Sequence, residues 1–487
     1  MLDEDIGGLG LNYTRSRTII AIIGFTIIGF WIAISKPYNL SQELTGCYYS
    51  ILLTYTVISF VSIYALNRSD FDIFEPIAML IILYYGIFVF RPIADIKNND
   101  YYTFGVDPMG GGVKANLIIC ISFFAFCLGY YKTYTISGYR NRKHNIYEPL
   151  IDKSENHISK RDILYKAYLV WLVSFILSVV NLIISGKDLT YIFTIGSSGF
   201  ISDEATAGGI ATLSFFGCSM IPAWLYICIF EKNKVLVFLL SFMMLCVFIV
   251  RGTRIVLLIM LSAPILYYYI SKKKRPKPRT ILIGLFVTLL IMSFIQMSRY
   301  GIRTGSDIDV EEFSSVAVTN VFDADLTTYK QFYCIVDKYP SQYDYTYGRA
   351  IILQTLVTVI PRSLWPAKPD PVITEVIENA VSSRAAISGM ASPGIGEYYF
   401  EFGVCGCIAF MFLLGCLFKK WNRLKRYENI ESTIMFSTLY GLMFQIIIRT
   451  STASCVYQYL FTVLPIFFIS RTRLFRRAYR KESYGTY

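Results

Sequence analysis

The chain has 487 residues, of which 54% are hydrophobic and only 16% are charged. Soluble domains carry roughly 25% charged residues, so this composition excludes an ordinary soluble protein. Repeated apolar runs of about 20 residues indicate a membrane protein with many spans. The net charge of +12 does not indicate nucleic-acid binding. Lys and Arg accumulate in cytoplasmic loops for topological reasons, and no nucleic-acid-binding motif accompanies them here.

Apolar runs long enough to cross a membrane recur along the whole chain. They occupy residues 18–35, 46–66, 71–90, 115–131, 163–184, 210–230, 235–250, 255–270, 280–297, 403–418, 432–448 and 455–469. Helices are the natural spanning elements, because lipid offers no partner for open backbone groups. The sequence therefore predicts an all-α polytopic fold with about 12 transmembrane helices.

The basic residues between these runs predict the orientation of the chain. Lys and Arg are concentrated in residues 132–161, 272–279, 419–426 and 471–481. Cytoplasmic loops carry an excess of such residues, so all four segments are expected inside, with both termini. The N-terminus lacks the basic start of a cleaved signal peptide, so the first span is expected to remain.

The longest interval without a spanning run is 299–402, which the alternating topology places outside. The chain then divides into residues 1–298 with nine spans, this outer segment, and 403–487 with three spans and a basic tail. Within the outer segment, 316–336 and 349–360 are amphipathic enough for short helices lying at the membrane interface.

Arginines stand at the outer ends of several spans, against the usual topological bias. They are Arg91, Arg251, Arg254, Arg299, Arg303 and Arg449. A planar guanidinium binds phosphate oxygens with two parallel hydrogen bonds, so several around one membrane-level cavity would suit a diphosphate. The alternative is that each arginine reaches lipid headgroups separately.

Two further features of the outer segment are candidates for substrate handling. The proline-rich stretch 361–371 is stiff, because each Pro fixes its φ angle, and it presents Arg362, Trp365 and Lys368. Trp suits either a sugar face or the membrane interface. Glu397 lies just before the tenth run, where a carboxylate is costly and is therefore a functional candidate. The alternative for Glu397 is a helix-start carboxylate favoured by the helix dipole.

Several common chemistries find no support in the sequence. Both histidines, His144 and His157, fall in the predicted cytoplasmic segment. A proton acceptor on the outer face must then be a carboxylate, a Tyr or the substrate itself. No Walker A pattern and no carboxylate cluster with metal spacing occurs, so neither ATP hydrolysis nor a metal or other cofactor is expected. The 11 cysteines form no disulfide framework or zinc motif.

The sequence contains a set of short motifs, of which Phe74-Glu75-Pro76 lies near the inner end of its span and the others lie at outer span ends or in the outer segment. They are Phe74-Glu75-Pro76, Phe90-Arg91-Pro92, Arg251-Gly252-Thr253-Arg254, Tyr347-Gly348, the stretch 361–369 and Gly396-Glu397-Tyr398 with Phe402-Gly403. With these motifs, many spans and a long late outer loop, most of the chain resembles the Wzy-type O-antigen polymerases. These are the oligosaccharide repeat-unit polymerases, which are GT-C-like membrane glycosyltransferases.

The resemblance implies an enzyme of the bacterial inner membrane with its active site facing the periplasm. It would transfer a growing glycan from undecaprenyl diphosphate to the non-reducing sugar of an incoming undecaprenyl-diphosphate-linked repeat unit. No nucleotide is needed, because the sugar–diphosphate bond is already activated. The implied partners are these lipid-linked oligosaccharides and membrane lipid, with a chain-length regulator as a further candidate.

Residue roles follow as hypotheses from the resemblance and from the arginine pattern. Arg254 and Arg299 would act on the departing diphosphate, and Glu397 would either accept the proton or orient the acceptor sugar. The substrate-binding candidates are Arg91, Arg251, Arg303, Arg362, Trp365, Lys368, Tyr398, Tyr399 and Arg449.

Three other functions remain open at this point. The first is an O-antigen ligase, which uses the same donor but transfers the glycan to lipid A core. Ligases resemble each other in using a His in an outer loop, and the predicted outer segments of this chain contain no His. A flippase or other transporter of lipid-linked oligosaccharides would be expected to show repeated halves and buried polar residues along a path. A structural membrane scaffold is the third.

Overall fold

The computed structural model describes most of the chain. The described residues are 2–68, 71–132, 160–184, 211–251, 254–277, 279–280, 326–358, 360, 364–365, 367–383, 391–425, 429–449 and 451–471. Throughout these ranges the regular secondary structure is helical, and no strand occurs in them. The predicted all-α class is confirmed.

Sixteen α-helices follow one another in the described ranges. They are α1 Leu2–Ile34, α2 Gln42–Asn67, α3 Pro76–Tyr85, α4 Arg91–Asn98, α5 Gly112–Tyr131, α6 Lys160–Ile184, α7 Ala211–Ser214, α8 Phe216–Phe230, α9 Lys234–Arg251, α10 Arg254–Ser271, α11 Thr328–Lys338, α12 Gln354–Thr358, α13 Val372–Ala380, α14 Gly394–Asn422, α15 Ile430–Ile448 and α16 Thr452–Arg471. One π-helical turn, Gly86–Phe90, joins α3 to α4, and a second, Arg349–Leu353, leads into α12.

Seven helices in the described ranges are long and apolar enough to cross a membrane. They are Gln42–Asn67, Pro76–Asn98, Met109–Tyr131, Lys160–Ile184, Gly394–Asn422, Ile430–Ile448 and Thr452–Arg471. Shorter apolar helices include Thr18–Ile34, Phe216–Phe230, Lys234–Ile249 and Val256–Ser271. Every predicted apolar run except the ninth falls on one of these helices, and the ninth, 280–297, lies almost entirely outside the described residues. The total of about 12 spans and the cytoplasmic termini stay predictions.

The helices α5 and α14 cross with their backbones in contact. A Cβ atom on Gly129 of α5 would lie 2.1 Å from the carbonyl oxygen of Phe412, and one on Gly415 of α14 would lie 2.2 Å from that of Phe126. Small residues at such crossings let membrane helices approach closely and gain packing energy that lipid cannot supply. This pair of glycines therefore fixes the distance between the two helices.

The start of α14 differs from the prediction. The helix begins at Gly394 rather than at the predicted 403, and it is interrupted at Phe402 and Gly403. Gly403 has φ +63° and ψ −151°, a conformation that is essentially restricted to glycine. The residues from Gly394 to Glu401, which were predicted to belong to the outer loop, are helical and buried. The break lets this buried first section and the spanning section point in different directions.

The outer segment contains one helix that does not lie at an interface. The prediction placed 316–336 on the membrane surface, but its described part, in α11, is buried on all faces from Thr328 to Val336. The Phe332 ring packs edge-on against Phe88 and Tyr399, with centroids 6.5 Å and 6.2 Å away. A helix without an exposed face belongs to the core, so the interfacial prediction is wrong here. Its mixed polar composition had suggested a surface position.

The helical segment Arg349–Thr358 shows the opposite pattern. Its apolar side chains Ile352, Leu353 and Leu356 are all about half exposed or more. Exposed apolar residues on a short helix at one end of a membrane bundle agree with the interfacial position that the sequence predicts.

The glycine contact between α5 and α14 gives a stability prediction. Replacing Gly415 by Leu forces side-chain atoms into the α5 backbone, and we expect a loss on the order of 1–3 kcal/mol, as for other overpacked sites. Thermal unfolding of the purified protein in detergent measures this. Gly24→Leu is the matched control, because a Cβ at Gly24 meets nothing within 4 Å. Equal destabilisation by both substitutions would contradict the close crossing.

Candidate active site

The described part of the outer segment packs onto one end of the helical bundle. Lys114, near the start of α5, donates a hydrogen bond to the carbonyl oxygen of Val336 at 3.4 Å. Tyr457, near the start of α16, donates to the carbonyl oxygen of Thr355 at 2.5 Å. We call this end, where α5 and α16 begin, the outer face. The candidate site is located there.

A buried ion cluster lies at the outer face, between α4 and α11. Asp95 Oδ1 lies 2.8 Å from Arg91 Nε, and Asp95 Oδ2 lies 3.1 Å from Lys330 Nζ. Tyr329 donates its hydroxyl to Asp95 Oδ2 at 2.6 Å, and Lys330 also donates to the carbonyl oxygen of Asp100 at 2.5 Å. The Asp95 side chain is 3% exposed. One carboxylate thus holds a guanidinium and an ammonium side by side, largely out of solvent.

Local backbone structure places Arg91 in this cluster. The π-helical turn Gly86–Phe90 comes immediately before Arg91, and Pro92 occupies the first turn of α4. Arg91 was predicted to end the third span, but the helix continues past it to Asn98, which puts Asp95 one turn further along the same helical face. Single π-helical turns within α-helices are frequent at functional sites. The structure thus shows how Arg91 is positioned, and its functional role stays a prediction.

A second hydrogen-bonded chain anchors the same outer helix to the bundle. The ring of Tyr329 packs edge-on against Tyr333, with centroids 5.2 Å apart. Tyr333 donates its hydroxyl to Asn116 Oδ1 at 2.8 Å, and Asn116 Nδ2 donates to Ser50 Oγ at 2.9 Å. All four side chains are buried. Since buried polar groups are costly without partners, these bonds fix the register of α11 against α2 and α5.

The buried carboxylate of Glu401 holds a loop of the outer segment. It accepts hydrogen bonds from Thr346 Oγ1 and from the backbone nitrogen of Ala350, both at 2.6 Å, and also from the backbone nitrogen of Gly348. Gly348 has φ +92°, which suits glycine because it has no Cβ. Glu401 therefore fixes the turn from which Arg349 projects.

Glu397 makes a similar contact with the last helix. Both of its carboxylate oxygens accept from the backbone nitrogen of Thr452, at 3.2 Å and 3.0 Å, and Oε2 also accepts from Thr452 Oγ1 at 2.8 Å. Thr452 is the first residue of α16, so Glu397 faces the positive end of that helix dipole as well as that of its own helix. The residue is 4% exposed. This geometry is that of a cap between two helices, and the proton-acceptor role stays untested.

The two predicted tyrosines lie beneath the surface of the site. The Tyr398 ring stacks on Phe410, with centroids 5.1 Å apart. The Tyr399 hydroxyl donates to the carbonyl oxygen of Tyr339 at 2.9 Å. Both tyrosines are buried, so they support the walls of the site from behind.

The proline-rich stretch is described only in part. Trp365 is 37% exposed. Lys368 donates to the carbonyl oxygens of Thr358 and Ile360, at 3.2 Å and 2.9 Å. These are backbone groups at the end of α12, so Lys368 folds the stretch back onto that helix and leaves the Trp365 ring accessible.

The structure gives little information on the side chains of the other predicted arginines. Arg299, Arg303 and Arg362 lie outside the described residues, and for Arg251 and Arg254 only the helical backbone is described. Arg449 is described, and its backbone nitrogen ends α15 by bonding to the carbonyl oxygen of Gln445 at 2.9 Å. The convergence of these arginines on one cavity therefore stays a prediction.

Burial raises the pKa of two proton-bearing groups of the outer segment. Burial raises the pKa of the Cys334 thiol to about 12, and burial likewise raises the pKa of Tyr345 to about 12. At neutral pH both side chains keep their protons. Neither one supplies a ready nucleophile or base at the outer face.

In the described ranges, no group of three or more His, Cys, Asp or Glu residues is arranged to hold a metal ion. The carboxylates at the outer face bond to Arg, Lys, Tyr, Thr and backbone N–H groups instead.

Sequence reasoning missed several residues of this site. Asp95 carried a usable indication, since it lies four residues after Arg91 and such pairs meet on a helix. Glu401 belongs to the same motif as Glu397 and was not singled out. Lys330 and Tyr329 carried no indication, because their partner lies more than two hundred residues earlier in the chain.

Together, the apolar helices and the packed outer segment define a multi-pass helical membrane protein with a polar site at one end. The family model described as O-antigen polysaccharide polymerase Wzy matches residues 18–477, nearly the whole chain. The chain therefore belongs to the Wzy O-antigen polysaccharide polymerase family, and the resemblance seen in the sequence is confirmed. No curated protein and no solved structure matches it.

Family membership establishes the general activity. The chain is a glycosyltransferase-type polymerase, and its substrates are lipid-linked oligosaccharides. The ligase, transporter and scaffold alternatives are set aside on this ground, because the match covers both the spans and the outer segment.

The ion cluster predicts a large difference between two acid-to-amide substitutions. Asp95→Asn leaves Arg91 and Lys330 without their shared carboxylate, and breaking a buried pair costs about 3–5 kcal/mol. Glu375→Gln is the matched control, because Glu375 pairs with Arg349 at 2.8 Å while both side chains are 50% exposed. Exposed pairs contribute only about 0–1 kcal/mol. Thermal unfolding in detergent compares the two, and similar losses would show that the Asp95 cluster does not hold α11 in place.

Proposed function

We propose that this chain transfers a growing glycan from undecaprenyl diphosphate to the non-reducing sugar of an incoming undecaprenyl-diphosphate-linked repeat unit. The reaction takes place at the outer face, which would face the periplasm in the bacterial inner membrane. The observation that carries the proposal is the family match across residues 18–477. The position of the Arg91–Asp95–Lys330 cluster supports the choice of face.

The chemistry needs no nucleotide. A hydroxyl of the incoming unit attacks the anomeric carbon of the growing chain, and the bond between that carbon and the diphosphate oxygen breaks. The proton of that hydroxyl passes to an acceptor at the outer face, which is a carboxylate, a Tyr or the departing diphosphate. Undecaprenyl diphosphate leaves, and negative charge develops on the departing oxygen. Fixed cations at that point stabilise the transition state, since they require no reorganisation during the reaction.

The ion cluster has the properties expected of such a fixed cation site. Asp95 holds Arg91 and Lys330 within 2.8 Å and 3.1 Å of its oxygens, so two positive groups are adjacent before any substrate arrives. Desolvation strengthens their interaction with an anion. We assign Arg91 and Lys330 to one side of the diphosphate, and Arg251, Arg254, Arg299 and Arg303 to the other. Arg362 and Arg449 are further candidates.

The acceptor sugar needs an accessible flat surface rather than a buried one. Trp365 offers its ring on the stiff, partly exposed stretch that Lys368 ties to α12. A Trp face packs well against the apolar face of a sugar. Tyr398 and Tyr399 are buried and would support this path without contacting the sugar.

Glu397 fits a positioning role better than that of a base. Its two oxygens already face the Thr452 nitrogen and hydroxyl, and it is buried. A general base must come within hydrogen-bond reach of the proton that it removes. By holding the start of α16, Glu397 would set the position of the neighbouring Arg449.

The arginine roles predict a loss of polymerisation with a defined product. Arg254→Ala or Arg299→Ala should lower the rate by about 10²–10³-fold, the usual effect of removing one transition-state contact. In cells, surface lipid capped with a single repeat unit should accumulate. Product length is measured with the purified variants in lipid vesicles. Arg349→Ala is the control, since Arg349 is at the outer segment but half exposed in a pair with Glu375. Normal polymerisation by a purified Arg254→Ala or Arg299→Ala variant removes these roles.

The positioning role of Glu397 predicts a mild effect of its amide. In Glu397→Gln the amide oxygen still accepts from Thr452, so we expect polymerisation to fall by less than about tenfold, whereas loss of a general base costs about 10²–10⁴-fold. Glu397→Ala removes the cap and should lower the stability by about 1 kcal/mol. Rates and thermal unfolding are measured on the same preparations. A loss above a hundredfold in a Gln variant that unfolds like the unmodified protein would favour the base.

A further inference from the structure

A polar cavity lies at the opposite end of the bundle from the outer face. It has a volume of about 400 Å³ and lies where α3 begins and where α10 and α14 end. Its charged lining consists of Asp72, Glu75, Lys273, Lys274, Arg275 and Lys425. Neither the polymerase reaction nor the family match assigns it a role.

The two acids of the cavity are already engaged by cations. Asp72 Oδ2 lies 2.6 Å from Lys425 Nζ, and Glu75 Oε2 lies 3.1 Å from an Arg68 nitrogen. Glu75 also accepts a hydrogen bond from the Tyr130 hydroxyl at 3.4 Å. These acids therefore leave the positive character of the cavity intact.

The other cations of the lining come from one exposed loop that follows α10. Lys273, Lys274 and Arg275 all line the cavity, and all are exposed. With Lys425 they make four cations against two acids in the lining. This surplus attracts an anion that can approach from the membrane surface.

The walls of the cavity place it at the level of lipid headgroups. Ile270 and the rings of Phe74 and Tyr269 line it, with the ring centroids 6.3 Å apart. Tyrosine rings favour the boundary between the hydrocarbon and the headgroups, and the ends of α10 and α14 meet the start of α3 around the cavity. Basic pockets between helix ends at this level are suited to anionic lipids.

One polar atom in the cavity wall indicates a further property of the ligand. Asn422 also lines the cavity, and its buried Oδ1 accepts no hydrogen bond from any described residue. A ligand that carries a hydroxyl next to its phosphate would satisfy this acceptor. The volume is within the roughly 300–1,000 Å³ of small-molecule sites and exceeds what a lone phosphate fills.

We infer that this cavity binds the headgroup of an anionic phospholipid, with its phosphate at Lys273, Lys274 and Arg275 and a headgroup hydroxyl at Asn422. The site is distinct from the proposed polymerase site and lies at the other end of the helices. Its occupancy depends on lipid composition and not on turnover, so the inference stands or falls separately from the proposed function.

Binding of phosphatidylglycerol to purified protein in detergent, followed by native mass spectrometry, tests this. We expect K273Q/K274Q/R275Q to weaken binding by about tenfold or more, which corresponds to about 1.4 kcal/mol. The matched control is K272Q/K277Q/R279Q, which removes three charges from the same loop without touching the lining. It should bind nearly as well as the unmodified protein. If the triple variant does not fold, R275Q is compared with R279Q.

Three outcomes would overturn the inference. Equal losses in the site and control variants would show that binding reflects diffuse surface charge. Equal binding of phosphatidylcholine, which is zwitterionic, would show that the cavity does not select anions. Displacement of phosphatidylglycerol by inorganic phosphate at matched concentration would assign the cavity to a free anion instead of a lipid.

Discussion

The arrangement of the outer face depends on a single buried carboxylate. Burying a charge costs several kcal/mol unless it is paired, and Asp95 meets this requirement with Arg91, Lys330 and the hydroxyl of Tyr329. Two of these partners lie on α11, which is buried on all faces around the contact. The ion cluster therefore specifies where α11 enters the bundle, and the rest of the described outer segment follows from it.

The first section of α14 gives the outer segment its remaining attachment points. Glu397 and Glu401 are one helical turn apart, and each is satisfied by N–H and hydroxyl donors instead of by a cation. One carboxylate holds the start of α16, and the other holds the turn before Arg349. Because Gly403 interrupts the helix just beyond them, this section can be oriented independently of the span. The site is thus built on short, buried helical pieces.

The sequence predicted most of the membrane helices, but it did not predict the side-chain contacts between them. Each apolar run that lies within the described residues falls on a helix, since lipid offers no partner for open backbone groups. The start of α14 was missed because the residues from Gly394 to Glu401 include two acids, and their partners are far away in sequence. For the same reason α11 was placed on the surface, because Lys330 becomes compatible with burial only through Asp95. The arginine pattern drew attention to Arg91, but the carboxylate that holds it was not predicted.

Positive charge has different physical roles at the two ends of this molecule. At the outer face, cations such as Lys330 are removed from water and clamped by a buried acid, which fixes their position. At the other end, the basic loop after α10 is exposed, and its sequence alone agrees with the general excess of Lys and Arg in cytoplasmic loops. The structure separates these cases, because Lys273, Lys274 and Arg275 line a cavity while Lys272 and Lys277 of the same loop do not. Charge that merely orients a membrane protein has no need of such a cavity, so the selective lining indicates a ligand.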